Sequence, residues 1–234
     1  MRASICLSLC LVFAAAQPLL AAFKSVKLHP DNPLPEFPLV LISEGVSQGE
    51  VVMAVSVSAE GQTVDSLALA YTHEPFVTAC KAALKDWKYI PAQLDGENIG
   101  VKIELVFNFE RTGYVESNTI NITNKYMEAG RSPRLSHQLI ESDKLDKPPV
   151  ALSAVNPKYA SQARIDGIHG TVRVRFYIDE SGRVRLPTVS AESHPYLAEI
   201  AVEALRSWRF QPALYRGRPV IVAAAQDFRF GSEP

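Results

Sequence analysis

Displaced by 121 residues, the chain meets itself, and this recurrence restricts its fold more than any other feature. Gly49 falls on Gly170, Gly61 on Gly182, His73 on His194, Trp87 on Trp208, Pro91 on Pro212, Ala92 on Ala213, Gly96 on Gly217, Phe107 on Phe228 and Phe109 on Phe230. With Val51, Ala70, Ala83, Leu84 and Val101 there are 14 identities over Leu39–Phe109, against about four or five expected by chance. They coincide on turns, helix ends and apolar positions, the mark of a repeated structural unit. Two small modules are therefore expected.

The second unit is the easier to read. Val172, Val174, Phe176 and Ile178 alternate with Thr171, Arg173, Arg175 and Tyr177, which puts the apolar set on one face of a strand. Asp179-Glu180-Ser181-Gly182 is turn chemistry, and Arg183–Ser190 returns as the second arm, with Pro187 making it an edge or a bulge. Ser193 is the expected N-cap of a helix with Pro195 in its first turn. Leu197, Ile200, Ala201, Ala204, Leu205 and Trp208 recur on one side of that helix. Val220–Phe230 closes the unit at period two, with Val220, Val222, Ala224, Phe228 and Phe230 inward and Ile221, Ala223, Ala225 and Asp227 outward. Strand, strand, helix, strand closes as an antiparallel sheet covered by one helix, so the fold class is α+β, with two modules of three strands each packed against helices.

This stretch, with its approach Asn156-Pro157-Lys158-Tyr159, Ala163 and Gly167-Ile168-His169-Gly170, resembles the C-terminal domain of the TonB family over residues 148–230. That family shows P-x-Y-P-x-x-A, then G-x-V-x-V-x-F-x-I-D-x-x-G-x-V, a helix ending W-R-F-x-P-A and a strand ending F-x-F. Ala160 stands where the family usually has Pro, and Asn156 where Gln is common.

The first unit gives Val51–Ser58 as a strand, Glu60-Gly61 as a turn, Thr72 as N-cap, Phe76–Trp87 as a helix and Ile99–Phe109 as the closing strand. In that strand Lys102, Glu104 and Asn108 are expected outward. It departs further from the family, with Glu36-Phe37-Pro38 as its approach and no Asp at Ser58. The divisions read from the sequence are 1–22 as a leader, 23–110 and 148–234 as modules, and 111–147 as a polar linker without sustained period. A short helix near Leu135–Glu141 is the one element it suggests.

The leader has Arg2, the apolar run Ile5–Ala16 and the small pair Ala21-Ala22, the layout of a cleaved secretory signal; an uncleaved membrane anchor is the alternative. Export places the protein in the periplasm. Cys6 and Cys10 would leave with the leader and Cys80 would remain, at helical spacing with Phe76, Leu84 and Trp87, as a packed core residue.

A net charge of -1 gives no case for a nucleic-acid partner. It conceals an asymmetry: Phe37–Glu110 holds 4 Lys plus Arg against 10 Asp plus Glu, and Asn156–Phe230 holds 11 against 7. The halves either attract one another or face different partners. Arg173, Arg175, Arg183 and Arg185 suggest a basic stripe, read either as a solvated sheet face or as a contact for an acidic partner such as the first module.

No catalytic, cofactor or metal residues are assigned. There is no phosphate-binding Gly-rich loop, no Ser or Cys nucleophile elbow and no zinc spacing around His73, His169 or His194, so an enzyme is not expected. What remains is recognition at a sheet edge, whose unpaired N–H and C=O groups accept an extended peptide. The resemblance implies this use, capturing a short motif of outer-membrane TonB-dependent receptors in a system for transmembrane transport. Carried onto this sequence, the binding residues are Asn156, Lys158, Tyr159, Val220, Ile221, Val222, Ala223, Ala225 and Asp227. Inner-membrane motor proteins and a homodimer through the same edge are the other partners considered. Only 14 residues, Phe23–Glu36, separate leader and first module, a reach of ~50 Å at most, short for the spacer of a complete energy transducer.

Overall fold

The computed structural model describes residues 23–111, 115–120, 139–190 and 193–231. The leader and residues 135–138 of the suggested short helix lie outside them; Leu139–Glu141 are not helical, and a 3-10 turn follows at Ser142–Lys144.

In the first half, β1 (Phe23–Lys24) and β2 (Lys27–Leu28) lead into α1 (Leu39–Ser43), β3 (Gln48–Val57), β4 (Thr63–Tyr71) and α2 (Glu74–Leu84). Short β5 (Tyr89–Ile90), β6 (Ala92–Leu94) and β7 (Glu97–Ile99) precede the long β8 (Val101–Glu110). The segment read as a linker contributes another strand, β9 (Val115–Ile120), so the first sheet has four strands in the order β4-β3-β8-β9. Its inner face presents Val51, Met53, Val55, Val57, Leu105, Phe107 and Phe109 to Phe76, Cys80 and Leu84 of α2. Cys80 is 0% exposed, and burial pushes its thiol pKa up, so it packs as a small apolar side chain.

The second half runs β10 (Val150–Ser153), α3 (Ser161–Ile165), β11 (Gly170–Ile178), β12 (Val184–Val189) and α4 (Pro195–Ser207). It continues with β13 (Arg209–Gln211), β14 (Ala213–Tyr215), β15 (Arg218–Val220) and β16 (Val222–Phe230). Three strands form its main sheet in the order β12-β11-β16, every strand pairing antiparallel. Val172, Val174, Phe176, Val222 and Phe228 face Leu197, Ile200, Ala201 and Leu205 of α4, as the helical and two-residue periods require. The molecule is thus α+β, made of small antiparallel sheets and few helices.

Several bonds recur 121 residues apart. Gly61 N–H donates to Ser58 O at 3.1 Å, and Gly182 N–H to Asp179 O at 2.8 Å. Tyr89 N–H donates to Gly61 O, and Phe210 N–H to Gly182 O, both at 2.9 Å. These glycines hold φ of +75° and +76°, and a Cβ would meet the Tyr89 or Phe210 carbonyl oxygen at 2.1 or 1.9 Å, so no side chain fits. In the approaches the displacement is one residue greater: Val46 N–H donates to Leu41 O, and Ile168 N–H to Ala163 O.

Both helix starts differ from expectation. His73 and His194 occupy the cap positions, without a side-chain cap bond. Thr72 is committed elsewhere, because its Oγ1 accepts from Glu50 N–H at 3.1 Å and ties it to β3. Helix α2 stops at Leu84, and Trp87 follows it; Trp87 and Trp208 are nonetheless buried, at 2% and 8% exposure.

The halves pack together. The outer face of the first sheet carries Val52, Ala54, Leu67, Leu69 and Val106, which bury against Tyr177, Leu186 and Ile221. Lys102 and Glu104, expected in solvent, lie in this contact: the Lys102 ammonium sits 4.7 Å from the centre of the Tyr177 ring, and Tyr177 OH reaches Glu104 at 3.5 Å. Burial first, and then the Lys102 charge acting against it, leaves the Glu104 pKa raised. Pro187 produces the expected bulge on the edge strand β12, with Leu186 at φ +49° and 3% exposed, its side chain turned into the first half.

Candidate functional site

Among the described residues, one long edge of the second sheet has no partner strand. Among the described residues β16 pairs with β11 alone, through nine residue pairs from Gly170 opposite Phe230 to Ile178 opposite Val222. The corresponding strand of the first half, β8, is paired on both sides, with β3 and with β9.

Beside the C-terminal part of β16 runs a groove of about 890 Å³, lined on one wall by Gln226 to Gly231 and on the other by Asn156, Pro157, Tyr159, Arg164, Gly167 and His169. Its far wall is fixed by hydrogen bonds. The Trp208 indole N–H donates to Val155 O at 2.8 Å, holding the extended segment where α4 ends. Tyr159 OH donates to Ile168 O, and the Tyr159 ring meets Phe230 edge-on at 5.5 Å between centroids. Trp87 does the same in the first half, donating to Pro33 O at 2.7 Å.

The structure sorts the residues expected to bind. Asn156, Tyr159 and Asp227 line the groove together. Ala223 and Ala225 are exposed further along β16. Lys158 is exposed but does not line the groove. Val220 is not part of the final strand: it ends β15, paired with Ala213, and with Val222 it faces the core. Ile221, expected outward, lies in the break between β15 and β16; its side chain is 2% exposed and packs on the first half.

Asp227 is opposite Arg173 on β11, whose Nε donates to it at 2.6 Å and whose terminal nitrogen donates at 2.8 Å. The Arg173 guanidinium holds the Asp227 carboxyl below the usual range. The basic stripe therefore divides. Arg173 stays within its sheet, while Arg185 crosses to the first half, where its Nε donates to Asp65 at 3.0 Å and its terminal nitrogen to Ser66 O at 2.9 Å. Asp179 works as a turn residue: its Oδ1 accepts from Ser181 N–H at 3.0 Å and Arg183 N–H at 2.9 Å.

Sequence reasoning did not single out Arg164, Gln226 or Arg229 in the groove. Arg229 follows from the two-residue period that puts Asp227 on the same face; Arg164 carries no such signal. No group of three His, Cys, Asp or Glu side chains suited to a metal occurs among the described residues, and no described helix is long and apolar enough to cross a membrane.

Comparison with known proteins falls on the same half. Residues 155–231 match the family model of the Gram-negative bacterial TonB protein C-terminal region. The chain is 34% identical over 77 residues to Protein TonB of Vibrio cholerae, an alignment covering 32% of each chain. It is 38% identical over 72 residues to Protein TonB of Klebsiella pneumoniae, covering 30% of this chain and 28% of that one. It thus spans less than a third of the length of these curated relatives. A solution NMR structure of the Pseudomonas aeruginosa TonB CTD aligns with 37% of this chain and 88% of its own, at 31% identity and a TM-score of 0.31. Through residues 155–231 the chain carries a TonB C-terminal domain.

Proposed function

We propose that this protein is a non-enzymatic binding component of the cell envelope that captures an extended segment of an outer-membrane receptor by strand addition at β16. The observation that carries this reading is the unpaired edge of β16 beside a preformed groove holding Asn156, Tyr159 and Asp227. Main-chain bonds along such an edge supply affinity, and alternate side chains entering the groove supply selectivity. The exposed Ala223 and Ala225 leave the edge unobstructed, without the charges that commonly guard one. Periplasmic location and a link to transmembrane transport belong to the same proposal.

The domain division enters here as well, with 23–110 as a divergent copy of 148–234. Its support is the recurrence of the turn bonds, the buried Trp and the indole-to-carbonyl bond. Only the second copy is assigned binding, since β9 already occupies β8. Titration of the full chain with a peptide from the N-terminal segment of a TonB-dependent receptor tests the proposal. Amide NMR shifts concentrated at Val222–Phe230 are expected, and a saturating peptide that leaves those amides unmoved would overturn it.

A further inference from the structure

We propose that the first half carries a docking groove of its own, between α2 and the segment that leads into α1, which takes an amphipathic helix of a partner protein bearing Lys or Arg beside an apolar face. The inference goes beyond strand addition at β16 and does not depend on it. The groove has a volume of about 720 Å³ and lies between residues 33–39 on one wall and the outer side of α2 on the other, where Thr78, Ala79, Ala82 and Ala83 leave room. Its walls are fixed: the Trp87 indole holds Pro33 O, and the Phe37 ring meets Phe76 edge-on at 5.1 Å between centroids. In the second copy larger side chains, Glu199, Ile200 and Glu203, stand 121 residues beyond Thr78, Ala79 and Ala82. There Tyr196, in the place of Pro75, bridges helix and approach, its OH accepting from Ala160 N–H at 3.1 Å.

Neither wall suits strand addition. One is a helix, whose main chain is bonded within itself, and the other has Pro33, Pro35 and Pro38, which carry no N–H. An incoming helix has its own backbone groups satisfied and needs no such partners, and the small side chains of α2 let it approach closely. Leu34 and Leu39 line the groove at 50% and 81% exposure, surface that an apolar helix face would cover. The charge is one-sided. Glu36, Glu74 and Asp86 line the groove and are exposed. Among the described residues no Lys or Arg lines it, and no salt bridge engages any of these carboxylates. Lys or Arg at the flanks of the incoming helix is therefore matched, and Glu or Asp opposed.

The test titrates the full chain with two synthetic helical peptides that share one leucine face, flanked by Lys in one and by Glu in the other. Amide NMR shifts at Thr78, Ala79, Ala82 and Ala83 are expected with the Lys peptide. Its preference over the Glu peptide should be about three- to tenfold at low ionic strength and shrink as salt is added. Glu36→Gln/Glu74→Gln/Asp86→Asn should bring that preference to about one. Thr78→Gln/Ala82→Gln should weaken the Lys peptide about tenfold, by filling the groove while its charges stay. All these positions are exposed, and an unchanged thermal melt of each variant checks that the fold is retained. A Lys peptide that leaves the α2 amides in place, equal affinity of the wild-type chain for the two peptides, or undiminished binding in Thr78→Gln/Ala82→Gln overturns the proposal. So do α2 shifts that follow the concentration of the chain alone, which would make the groove an interface between copies.

Discussion

At the scale of the residue, the two halves solve one problem with different side chains. Asp179 Oδ1 accepts from the backbone N–H of Ser181 and Arg183. Ser58, 121 residues earlier, accepts through its hydroxyl from Glu60 N–H at 3.2 Å and Gln62 N–H at 3.4 Å. The charged acceptor is the stronger one. Burial of Asp179 works to raise its pKa, but the hydrogen bonds from Ser181 and Arg183 and the Arg185 charge outweigh it and hold it below the usual range. The folded state therefore binds that proton less tightly than the unfolded chain. The resulting stability is present above about pH 4 and is lost as pH falls through the folded value. Asp179→Ala should cost about 1–3 kcal/mol at pH 7, and its difference from wild type in urea melts should narrow in acid. The turn roles of Asp179 and Gly182 were legible because turn chemistry is local. The bond from Trp208 to Val155 was not, because its partner is 53 residues away and is a carbonyl that any residue would supply. Trp208→Ala should cost ~3–5 kcal/mol, measured by denaturant unfolding.

At the scale of the element, long strands and buried helix faces were legible from period, and their ends were not. Thr72 is a good cap in isolation, but tertiary bonding to Glu50 claims its hydroxyl and the helix starts later. The least legible element is β9, whose sequence Val-Glu-Ser-Asn-Thr-Ile has no apolar alternation. It is defined by main-chain pairing with β8 from Phe109 opposite Val115 to Glu104 opposite Ile120, and such pairing demands little of the side chains. Replacing Glu116 and Asn118 together by Pro removes two donors that face β8. Hydrogen exchange should then speed up in β8 while β11 and β16 keep their protection; unchanged exchange in β8 would show that β9 does not cover it.

At the scale of the whole molecule, the acidic and basic halves were legible as either mutual partners or strangers, and the contact between them resolves the alternative. Arg185 meets Asp65, and Tyr177, Leu186 and Ile221 close over the outer face of the first sheet. No period in the sequence announces this, because Ile221 sits in a strand break and Leu186 in a bulge, both outside regular alternation. Ile221→Asp would bury an unpaired carboxylate there and cost about 3–5 kcal/mol. Calorimetry should then resolve two unfolding transitions where the wild type gives one. The register of β16 has one further consequence. A tug applied lengthwise to a chain hooked onto this border would load its nine pairings with β11 in shear, all at once rather than one after another like a zipper. A pull across the strand would instead meet those pairings singly.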